Sequence, residues 1–357
     1  MNKIAIIIFS NLIYSPYYKL YTEILDNLGY EYDVIYCNRF PKTNETVDKN
    51  HIQIPWYDNN AKFNRIINFI SFKEKVSKIL KRNDYSKVIV LTTNPAILLS
   101  KVLIKKYNKK FLIDVRDFCQ ENLSLYRKLE ERLFKHASVR IISSPGFKNF
   151  LPKEDYCVCH NLSSNIKFNE LDKFHLTLNR NKRIKISYIG SIAYANQCKK
   201  IIDLVEKDDR FEMLFFGNET EGTIVSNYVK SKNNERISMM GPFLPTEKEK
   251  IYENTDMVFN CYGNDSDLLT YALSNKLYDG AFYKRPLLVS PNTLMQEISG
   301  KFAYSLDLSS STNLDGLYNW YQNLNEKEYE EFAESLLKDS INETEQSKKT
   351  IKDAILN

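Results

Sequence analysis

The sequence lacks both of the glycine-rich phosphate-binding motifs that can be recognised by their spacing. No G-x-G-x-x-G follows a segment that could be a first strand, and no G-x-x-x-x-G-K-[ST] occurs anywhere in the 357 residues. Glycine itself is scarce, with ten residues. These absences disfavour dinucleotide-dependent dehydrogenases and P-loop enzymes.

Metal-binding cysteine spacings and long apolar runs are also missing. The six cysteines form no C-x-x-C pair, and Cys157 and Cys159 are too close for an ordinary zinc half-site, so we expect reduced thiols in a cytosolic protein. The N-terminal apolar run at residues 4–9 is too short for a membrane span or a signal peptide. The net charge of +5 is mild for this length and does not suggest nucleic acid, and oligomeric state cannot be inferred.

The chain does contain two series of short apolar runs separated by amphipathic stretches. The runs lie at residues 4–9, 32–36, 88–91, 111–113 and 139–142, and again at 184–189, 213–216, 257–260 and 287–289. Such runs predict parallel strands that are covered on both faces. The predicted fold class is therefore α/β, with two doubly wound domains that face each other.

The predicted domain boundaries follow from the composition between the two series. Residues 163–182 are polar and poorly periodic, so we place the linker there. The first domain is predicted at residues 1–165 and the second at 183–325. Residues 326–357 are strongly charged with a helical pattern, and we expect this segment to pack back toward the first domain.

Residues 272–289 form the most informative segment. The pattern predicts a turn, a helix of about ten residues and a buried strand. Ser274 is the expected N-cap, which leaves three backbone N–H groups free to bind a ligand, those of Asn275, Lys276 and Leu277. With Lys276 in its first turn, this helix start suits a phosphate, and Asp279 lies within reach of a diol attached to that phosphate.

The predicted loops after the strands of the second domain support the same site. In open α/β sheets, ligands bind beyond the carboxyl ends of the strands. The loops there contain small residues that let a ligand approach the backbone, and the candidates are Gly190, Ser191, Gly217, Gly241, Pro242 and Phe243. One such loop is common in any α/β protein, but several beside the Ser274 helix start predict a nucleotide-sugar site.

In the first domain, charged residues cluster directly after a predicted strand. They are Asp114, Arg116, Asp117 and Glu121. Asp117 could orient or deprotonate an acceptor hydroxyl, and Arg116 could contact a phosphate or the sugar. The same residues could instead form a local ion pair that orders the loop. The loop at residues 10–18 and His160 could border the same cleft.

Two further segments concern metal and membrane. Asp265-Ser266-Asp267 matches the D-x-D pattern of metal-dependent transferases, but its position favours a helix cap, so we predict no metal. Residues 61–82 contain seven basic residues against one acid, Glu74, with interleaved apolar residues. This pattern predicts an amphipathic helix that suits an anionic membrane surface, or alternatively the cationic outer face of a packed helix.

Together these segments resemble the bacterial family-4-type glycosyltransferases of GT-B fold, and especially those that build capsular or other surface polysaccharides. The matching segments are residues 112–117, 187–192, 210–217, 237–243, 256–260 and 272–280. The resemblance implies transfer of a hexose or N-acetylhexosamine from a nucleotide-sugar, in our hypothesis a UDP-sugar, to a lipid-linked glycan. It also implies retention of anomeric configuration, no cofactor besides the donor, and a peripheral location at the cytoplasmic face of the cell membrane.

The resemblance assigns roles at matching positions. Asp279 stands where the family has a Glu that holds the ribose hydroxyls, while Asn275 and Lys276 begin the helix under the diphosphate. Lys276 is therefore our first candidate to stabilise the leaving group. Many members have charged residues where this chain has Ser191 and Tyr271. A non-catalytic scaffold and a UDP-sugar epimerase of similar two-domain form remain alternatives.

Overall fold

The computed structural model describes residues 3–39, 48–57, 62–117, 123–163, 166–308 and 313–357. The chain divides into two compact units. Unit 1 comprises Met1–His160 and Glu343–Asn357, and unit 2 comprises Asn161–Asn342. Each unit is built on one parallel β-sheet, which confirms the predicted α/β class with two Rossmann-like domains.

Unit 1 contains a seven-stranded sheet with the order β3-β2-β1-β4-β5-β6-β7. The strands are β1 (Lys3–Ile8), β2 (Tyr32–Cys37), β3 (His51–Ile54), β4 (Tyr85–Leu91), β5 (Phe111–Val115), β6 (Val139–Ile142) and β7 (Cys157–Val158). All five apolar runs predicted in this half are strands. Strand β3 was not predicted, because this edge strand is only partly buried and contains His51 and Gln53.

The helices of unit 1 follow the strands along the chain. They are α1 (Tyr18–Leu28), α2 (Lys62–Arg82), α3 (Thr93–Leu98), α4 (Ser100–Lys106) and α5 (Ser124–His136). Helices α3 and α4 both lie between β4 and β5 and are separated at Leu99. Within the described ranges, no helix is both long and apolar enough to cross a lipid bilayer.

Unit 2 contains a six-stranded parallel sheet with the order β10-β9-β8-β11-β12-β13. The strands are β8 (Ile184–Ile189), β9 (Phe211–Phe216), β10 (Ile237–Gly241), β11 (Met257–Asn260), β12 (Leu287–Val289) and β13 (Ala303–Ser305). The helices are α6 (Ala195–Lys207), α7 (Ile224–Lys232), α8 (Lys248–Glu253), α9 (Asp267–Tyr271), α10 (Asn275–Phe282), α11 (Leu294–Ser299) and α12 (Asp315–Gln322). The strand order reverses beside β8, and this is where ligands bind in open α/β sheets.

The segment expected to be a linker is packed into unit 2. Ile166, Leu171, Phe174 and Leu176 are all buried in one of its hydrophobic clusters. The Phe174 ring meets the Tyr283 ring edge-on, with 4.9 Å between the ring centroids. These apolar residues are too irregularly spaced to give a periodic signal, so the polar composition of the segment concealed its core contacts.

The chain ends in a long helix, α13 (Glu326–Leu356), which belongs partly to each unit. Its last turns are part of unit 1, where Ile351 and Ile355 are buried in the hydrophobic core. His160 accounts for another contact in unit 1, because its Nε2 lies 2.8 Å from a Glu343 carboxylate oxygen. Burial lowers the pKa of His160, and the Glu343 hydrogen bond opposes this shift. The contact between His160 and Glu343 therefore helps to hold the last turns of α13 against the rest of unit 1.

Two glycines bring the first loops of unit 2 into backbone contact. The Gly190 N–H donates to the Phe216 carbonyl at 2.9 Å, and the Gly217 N–H donates to the Gly241 carbonyl at 2.7 Å. Gly217 has a φ of 136°, and a Cβ atom at this position would overlap with the Gly190 carbonyl oxygen. Only glycine fits at residue 217, since both the backbone conformation and the available space exclude a side chain.

Gly217→Ala is therefore expected to destabilise unit 2 by at least about 3 kcal/mol, from backbone strain and steric overlap together. Gly222→Ala is the matched control, because Gly222 also has a positive φ, 78°, but has open space around its Cβ position. The control should cost only about 1 kcal/mol. Denaturant-induced unfolding measures both values, and equal losses in the two variants would contradict the close contact between residues 190 and 217.

Candidate functional site

Helix α10 has the predicted Ser274 N-cap, but two of the three N–H groups that were expected to be free donate to Ser274. The Leu277 N–H donates to the Ser274 carbonyl at 2.9 Å, and the Lys276 N–H to the hydroxyl. Ser274 has an extended backbone conformation, and its hydroxyl accepts a hydrogen bond from the Lys276 N–H at 3.2 Å. The helix has eight residues rather than about ten, and its residues from Leu277 onward are buried. This burial holds the helix in place, so that its N-terminal N–H groups have a fixed direction.

The Lys276 ammonium lies beside this helix start, over the loop that follows β8. Its Nζ atom is 5.0 Å from the centroid of the Tyr188 ring and 5.4 Å from that of Tyr262. A Cβ atom added to Gly190 would lie 3.5 Å from the same Nζ. The ammonium is thus held by two aromatic faces above a glycine backbone.

The charge of Lys276 lacks an anionic partner among the described residues. Across the part of the chain that the structure describes, no carboxylate forms an ion pair with this ammonium and no oxygen accepts a hydrogen bond from it. Desolvation lowers the pKa of Lys276 to about 8; Asp279 opposes this shift and Lys248 adds to it. A desolvated ammonium at a helix N-terminus is an environment that a phosphate would stabilise.

Asp279 is buried and already occupied. Only 4% of the surface of Asp279 is exposed, and one of its carboxylate oxygens lies 2.6 Å from the Lys248 Nζ. The other oxygen accepts a hydrogen bond from the Ser163 hydroxyl at 2.7 Å. The same hydroxyl accepts from Lys248 at 3.0 Å. A diol that binds Asp279 must therefore replace or share the contacts with Lys248 and Ser163.

At two other helix N-termini in unit 2, a carboxylate of the chain itself accepts hydrogen bonds from the backbone N–H groups. Glu221 accepts hydrogen bonds from the N–H groups at the start of α6, at 2.8 and 3.3 Å. Glu219 accepts from those at the start of α7, at 2.8 and 3.1 Å. Of these three helix starts, α10 is the one that presents a lysine instead of a carboxylate, and it is therefore the one suited to an external anion.

The loop after β8 is held by a tyrosine of that strand. The Tyr188 hydroxyl donates to the Ser191 carbonyl at 3.0 Å and accepts from the Ala193 N–H at 3.1 Å. Ser191 is exposed. Because β8, β9 and β10 are neighbouring parallel strands, the structure brings Gly190, Gly217 and Gly241 to one edge of the sheet. Pro242 is exposed and Phe243 partly buried directly beyond it.

In unit 1, the cluster after β5 forms a buried ion pair. The Arg116 Nε lies 2.8 Å from an Asp114 carboxylate oxygen, and the Tyr21 hydroxyl donates to the other oxygen at 2.7 Å. Arg116 also donates to the Cys159 carbonyl at 2.9 Å. Although desolvation opposes it, Asp114 raises the pKa of Arg116. The structure therefore shows the local ion pair, which was one of the two alternatives that the sequence allowed for this cluster.

Two further charged residues follow this ion pair in the chain. Asp117 is exposed, directly after the buried Arg116, and Glu121 lies outside the described residues. The roles assigned to Asp117 and Arg116 in catalysis stay predictions.

The D-x-D segment acts as a helix cap. Ser266 accepts a hydrogen bond from the Leu269 N–H at 3.3 Å and begins α9, while Asp265 and Asp267 are exposed. Among the described residues, no group of three or more His, Cys, Asp or Glu side chains could hold a metal ion. The expectation of metal-independent chemistry stays a prediction.

Sequence reasoning missed four residues of this site, namely Ser163, Tyr188, Lys248 and Tyr262. Tyr188 lies in the segment at residues 187–192 that carries the resemblance but had no role assigned to it, and the other three belong to no recognisable motif. Ser163 and Lys248 reach Asp279 from distant positions in the chain, and the tyrosines follow ordinary core patterns. Only the folded arrangement identifies them.

The sequence matches no protein-family model and no curated protein. Solved structures do match its fold. Anabaena HepE in complex with UDP-glucose is 11% identical with a TM-score of 0.64, and the match covers 99% of this chain and 100% of HepE. The lipopolysaccharide outer core galactosyltransferase WaaB is 14% identical with a TM-score of 0.64, over 99% of both chains.

An epimerase has a similar structure as well. A putative UDP-N-acetylglucosamine 2-epimerase from Listeria monocytogenes is 12% identical with a TM-score of 0.58, over 94% of this chain and 91% of the epimerase. At these identities the likeness concerns the fold alone. The chain has two parallel-sheet, Rossmann-like domains that match those of GT-B glycosyltransferase structures.

Proposed function

We propose that this protein is a glycosyltransferase that moves a sugar from a UDP-sugar to a lipid-linked surface-glycan acceptor. The observation that carries the proposal is the Lys276 ammonium, which lies at the start of α10 without an anionic partner among the described residues. The fold match to GT-B structures supports a nucleotide-sugar as the ligand. The choice of uridine is supported by the HepE structures with UDP and UDP-glucose.

In the proposed donor complex, the diphosphate binds the N–H groups at the start of α10 and the Lys276 ammonium. The Asn275 N–H is the first of these groups. The Lys276 N–H donates to the Ser274 hydroxyl and the Leu277 N–H donates to the Ser274 carbonyl, so a phosphate must replace or share these two bonds. Glycines at residues 190 and 217 and the exposed Ser191 leave the phosphates access to the backbone. Asp279 accepts the ribose hydroxyls in exchange for its contacts with Lys248 and Ser163. The backbone at Gly241, Pro242 and Phe243 contacts the base.

The proposed reaction is a substitution at the anomeric carbon. The acceptor hydroxyl oxygen forms a bond to this carbon while the bond from the carbon to the diphosphate oxygen breaks. The acceptor oxygen enters on the face of the anomeric carbon from which the diphosphate departs, so the configuration is retained. UDP leaves with the bonding electron pair, and the hydroxyl proton passes to the departing phosphate. Lys276 and the α10 N-terminus stabilise the negative charge that develops on the diphosphate, so no metal is required.

In unit 1, we assign the acceptor to the loop after β5. The exposed Asp117 carboxylate orients the acceptor hydroxyl. Arg116, whose buried side chain is bound to Asp114 and to the Cys159 carbonyl, acts as a positioning residue for this loop. The ion pair with Asp114 fixes the orientation of the Arg116 guanidinium. Membrane association through residues 61–82 places such an acceptor within reach.

The likeness to the Listeria epimerase supports a second candidate, a UDP-sugar epimerase. The two functions are separated by incubating the protein with UDP-glucose, UDP-galactose and UDP-N-acetylglucosamine, with and without a polyprenyl-diphosphate-linked sugar. A transferase releases UDP only with the lipid present and lengthens its glycan. An epimerase converts the UDP-sugar without the lipid. If neither product forms and UDP does not bind, both functions are contradicted and a scaffold is favoured.

The affinity for UDP should depend on pH through Lys276. The free ammonium has a pKa lowered to about 8 by desolvation, and a bound diphosphate raises it. The phosphate prefers the protonated lysine, so affinity is constant near pH 7 and falls above pH 8 by up to about tenfold per unit. Titration calorimetry from pH 7 to pH 10 measures this profile.

Two variants control the pH profile. Lys276→Arg keeps the positive charge across this range and should give a flat profile, since a guanidinium does not lose its proton there. Lys276→Met should bind UDP roughly 10- to 100-fold more weakly and also without pH dependence. A flat profile in the unmodified protein, or an unchanged slope in Lys276→Met, would remove Lys276 from the phosphate site.

Asp279 should confer a preference for the intact ribose diol. The protein is expected to bind UDP about tenfold more tightly than 2′,3′-dideoxy-UDP, because hydrogen bonds to a carboxylate contribute about 1.5 kcal/mol. Asp279→Ala should abolish this ratio. Ser163→Ala, which removes a partner of Asp279 but keeps the carboxylate, should retain it. An unchanged ratio in Asp279→Ala would show that the ribose binds elsewhere.

A further inference from the structure

Lys248 is the first residue of α8, and its side chain reaches a carboxylate of α10. The Lys248 Nζ atom lies 2.6 Å from one Asp279 carboxylate oxygen and 3.0 Å from the Ser163 hydroxyl oxygen. The side chain of Lys248 is 21% exposed, whereas that of Asp279 is 5% exposed. The lysine is therefore the more accessible partner of this ion pair.

The ion pair lies one helical turn from the proposed diphosphate site. Asp279 follows Lys276 by three residues in α10, and side chains at this spacing are neighbours, with about 5–6 Å between their Cβ atoms. Desolvation lowers the pKa of Lys276; Asp279 opposes this shift, and the nearby Lys248 ammonium adds to it. Two ammonium groups therefore lie near the start of α10, and among the described residues only that of Lys248 has an anionic partner.

A ribose diol that binds Asp279 changes the partner of Lys248. The diol hydroxyls need the two carboxylate oxygens that Lys248 and Ser163 now contact. An ammonium that lost its anion at this partly buried position would weaken the binding of the ribose, unless another anion replaced the carboxylate. The first phosphate of a nucleotide is bonded to the 5′-carbon of the same ribose, so the ligand itself brings that anion to Lys248.

We propose that Lys248 is a second ligand of the donor diphosphate, which Asp279 holds in place until the ribose binds. The inference rests on the proposed function, because a nucleoside diphosphate supplies a diol and a diphosphate together. The ribose hydroxyls take the Asp279 carboxylate, and the flexible lysine side chain turns its ammonium to the first phosphate. Lys276 binds the phosphate at the start of α10. Both cations then stabilise the negative charge that develops on the diphosphate when its bond to the sugar breaks.

A purely structural role of Lys248 makes a different prediction. If the lysine only neutralises the buried Asp279 carboxylate, its removal changes the affinity for every ligand with a ribose by the same factor. If the lysine binds phosphate, its removal weakens only the binding of ligands that have phosphates. The ratio of the affinities for UDP and for uridine therefore separates the two roles.

The test is calorimetry of the full chain with UDP, with the affinity for uridine measured by competition against UDP. Lys248→Met should lower the ratio of the two affinities by roughly 10- to 100-fold, because a charged hydrogen bond to the phosphate is lost. Uridine should bind at least as tightly as it does to the unmodified protein, since Asp279 no longer has to release an ammonium. The matched control is Lys250→Met, which changes an exposed lysine of α8 and should leave the ratio unchanged.

A second pair of variants keeps the test decisive if Lys248→Met fails to fold, since that variant leaves the Asp279 carboxylate without its cation. Asp279→Asn removes the need for this cation. Adding Lys248→Met to Asp279→Asn should then lower the ratio by a similar factor, while circular dichroism shows an intact fold. The inference is overturned if the added change leaves the ratio as it is in Asp279→Asn, or if Lys250→Met lowers the ratio as much as Lys248→Met does.

The binding of UDP by the unmodified protein separates this inference from the proposed function. If UDP binds and the ratio does not depend on Lys248, the assignment of Lys248 as a phosphate ligand is wrong and the donor site stands. If neither UDP nor uridine binds the unmodified protein, the donor site itself is contradicted, and the inference about Lys248 fails with it.

Discussion

Partly burying an ammonium without an anionic partner is costly, and among the residues that the structure describes unit 2 holds Lys276 in that state at the start of α10. Lys276 keeps its charge beside Tyr188 and Tyr262, which offer ring faces but no carboxylate. The arrangement depends on Gly190 below the ammonium and on Gly217, whose backbone leaves no space for a side chain against residue 190. The loops, the helix start and the lysine therefore depend on one another. Together they form a site with an excess of positive charge.

The second element of this site is an internal ion pair that substitutes for a ligand. Asp279 contacts Lys248 and Ser163, and the pair lies close enough to Lys276 for both charges to affect its pKa. A diol at Asp279 would release the Lys248 ammonium next to a bound diphosphate, so little favourable electrostatic energy would be lost in the exchange. Specificity for a nucleotide would then come from two coupled contacts, to the phosphates and to the ribose, rather than from either alone.

The sequence predicted the features that local patterns encode. Strands buried on both faces appear as continuous apolar runs, and the Ser274 cap with Lys276 in the first turn could be located from residue types alone. Patterns failed where burial was partial or irregular. The edge strand β3 has a polar residue facing solvent, and residues 166–176 enter the core at irregular intervals. The partners of Asp279 could not be predicted, because contacts between distant segments leave no local signal in the sequence.

Binding of the donor diphosphate at the start of α10 can be tested by measuring the melting temperature of the protein with a panel of nucleotide-sugars. The protein is heated with UDP-, GDP-, TDP- and CMP-sugars, alongside Lys276→Met and the control Lys200→Met, which changes an exposed lysine of α6. A ligand that binds only the folded state raises the melting temperature. If the diphosphate binds at the start of α10, we expect UDP-sugars to raise the melting temperature of the unmodified protein and of Lys200→Met, but not that of Lys276→Met. No rise with any nucleotide-sugar, or an equal rise in both variants, would contradict it.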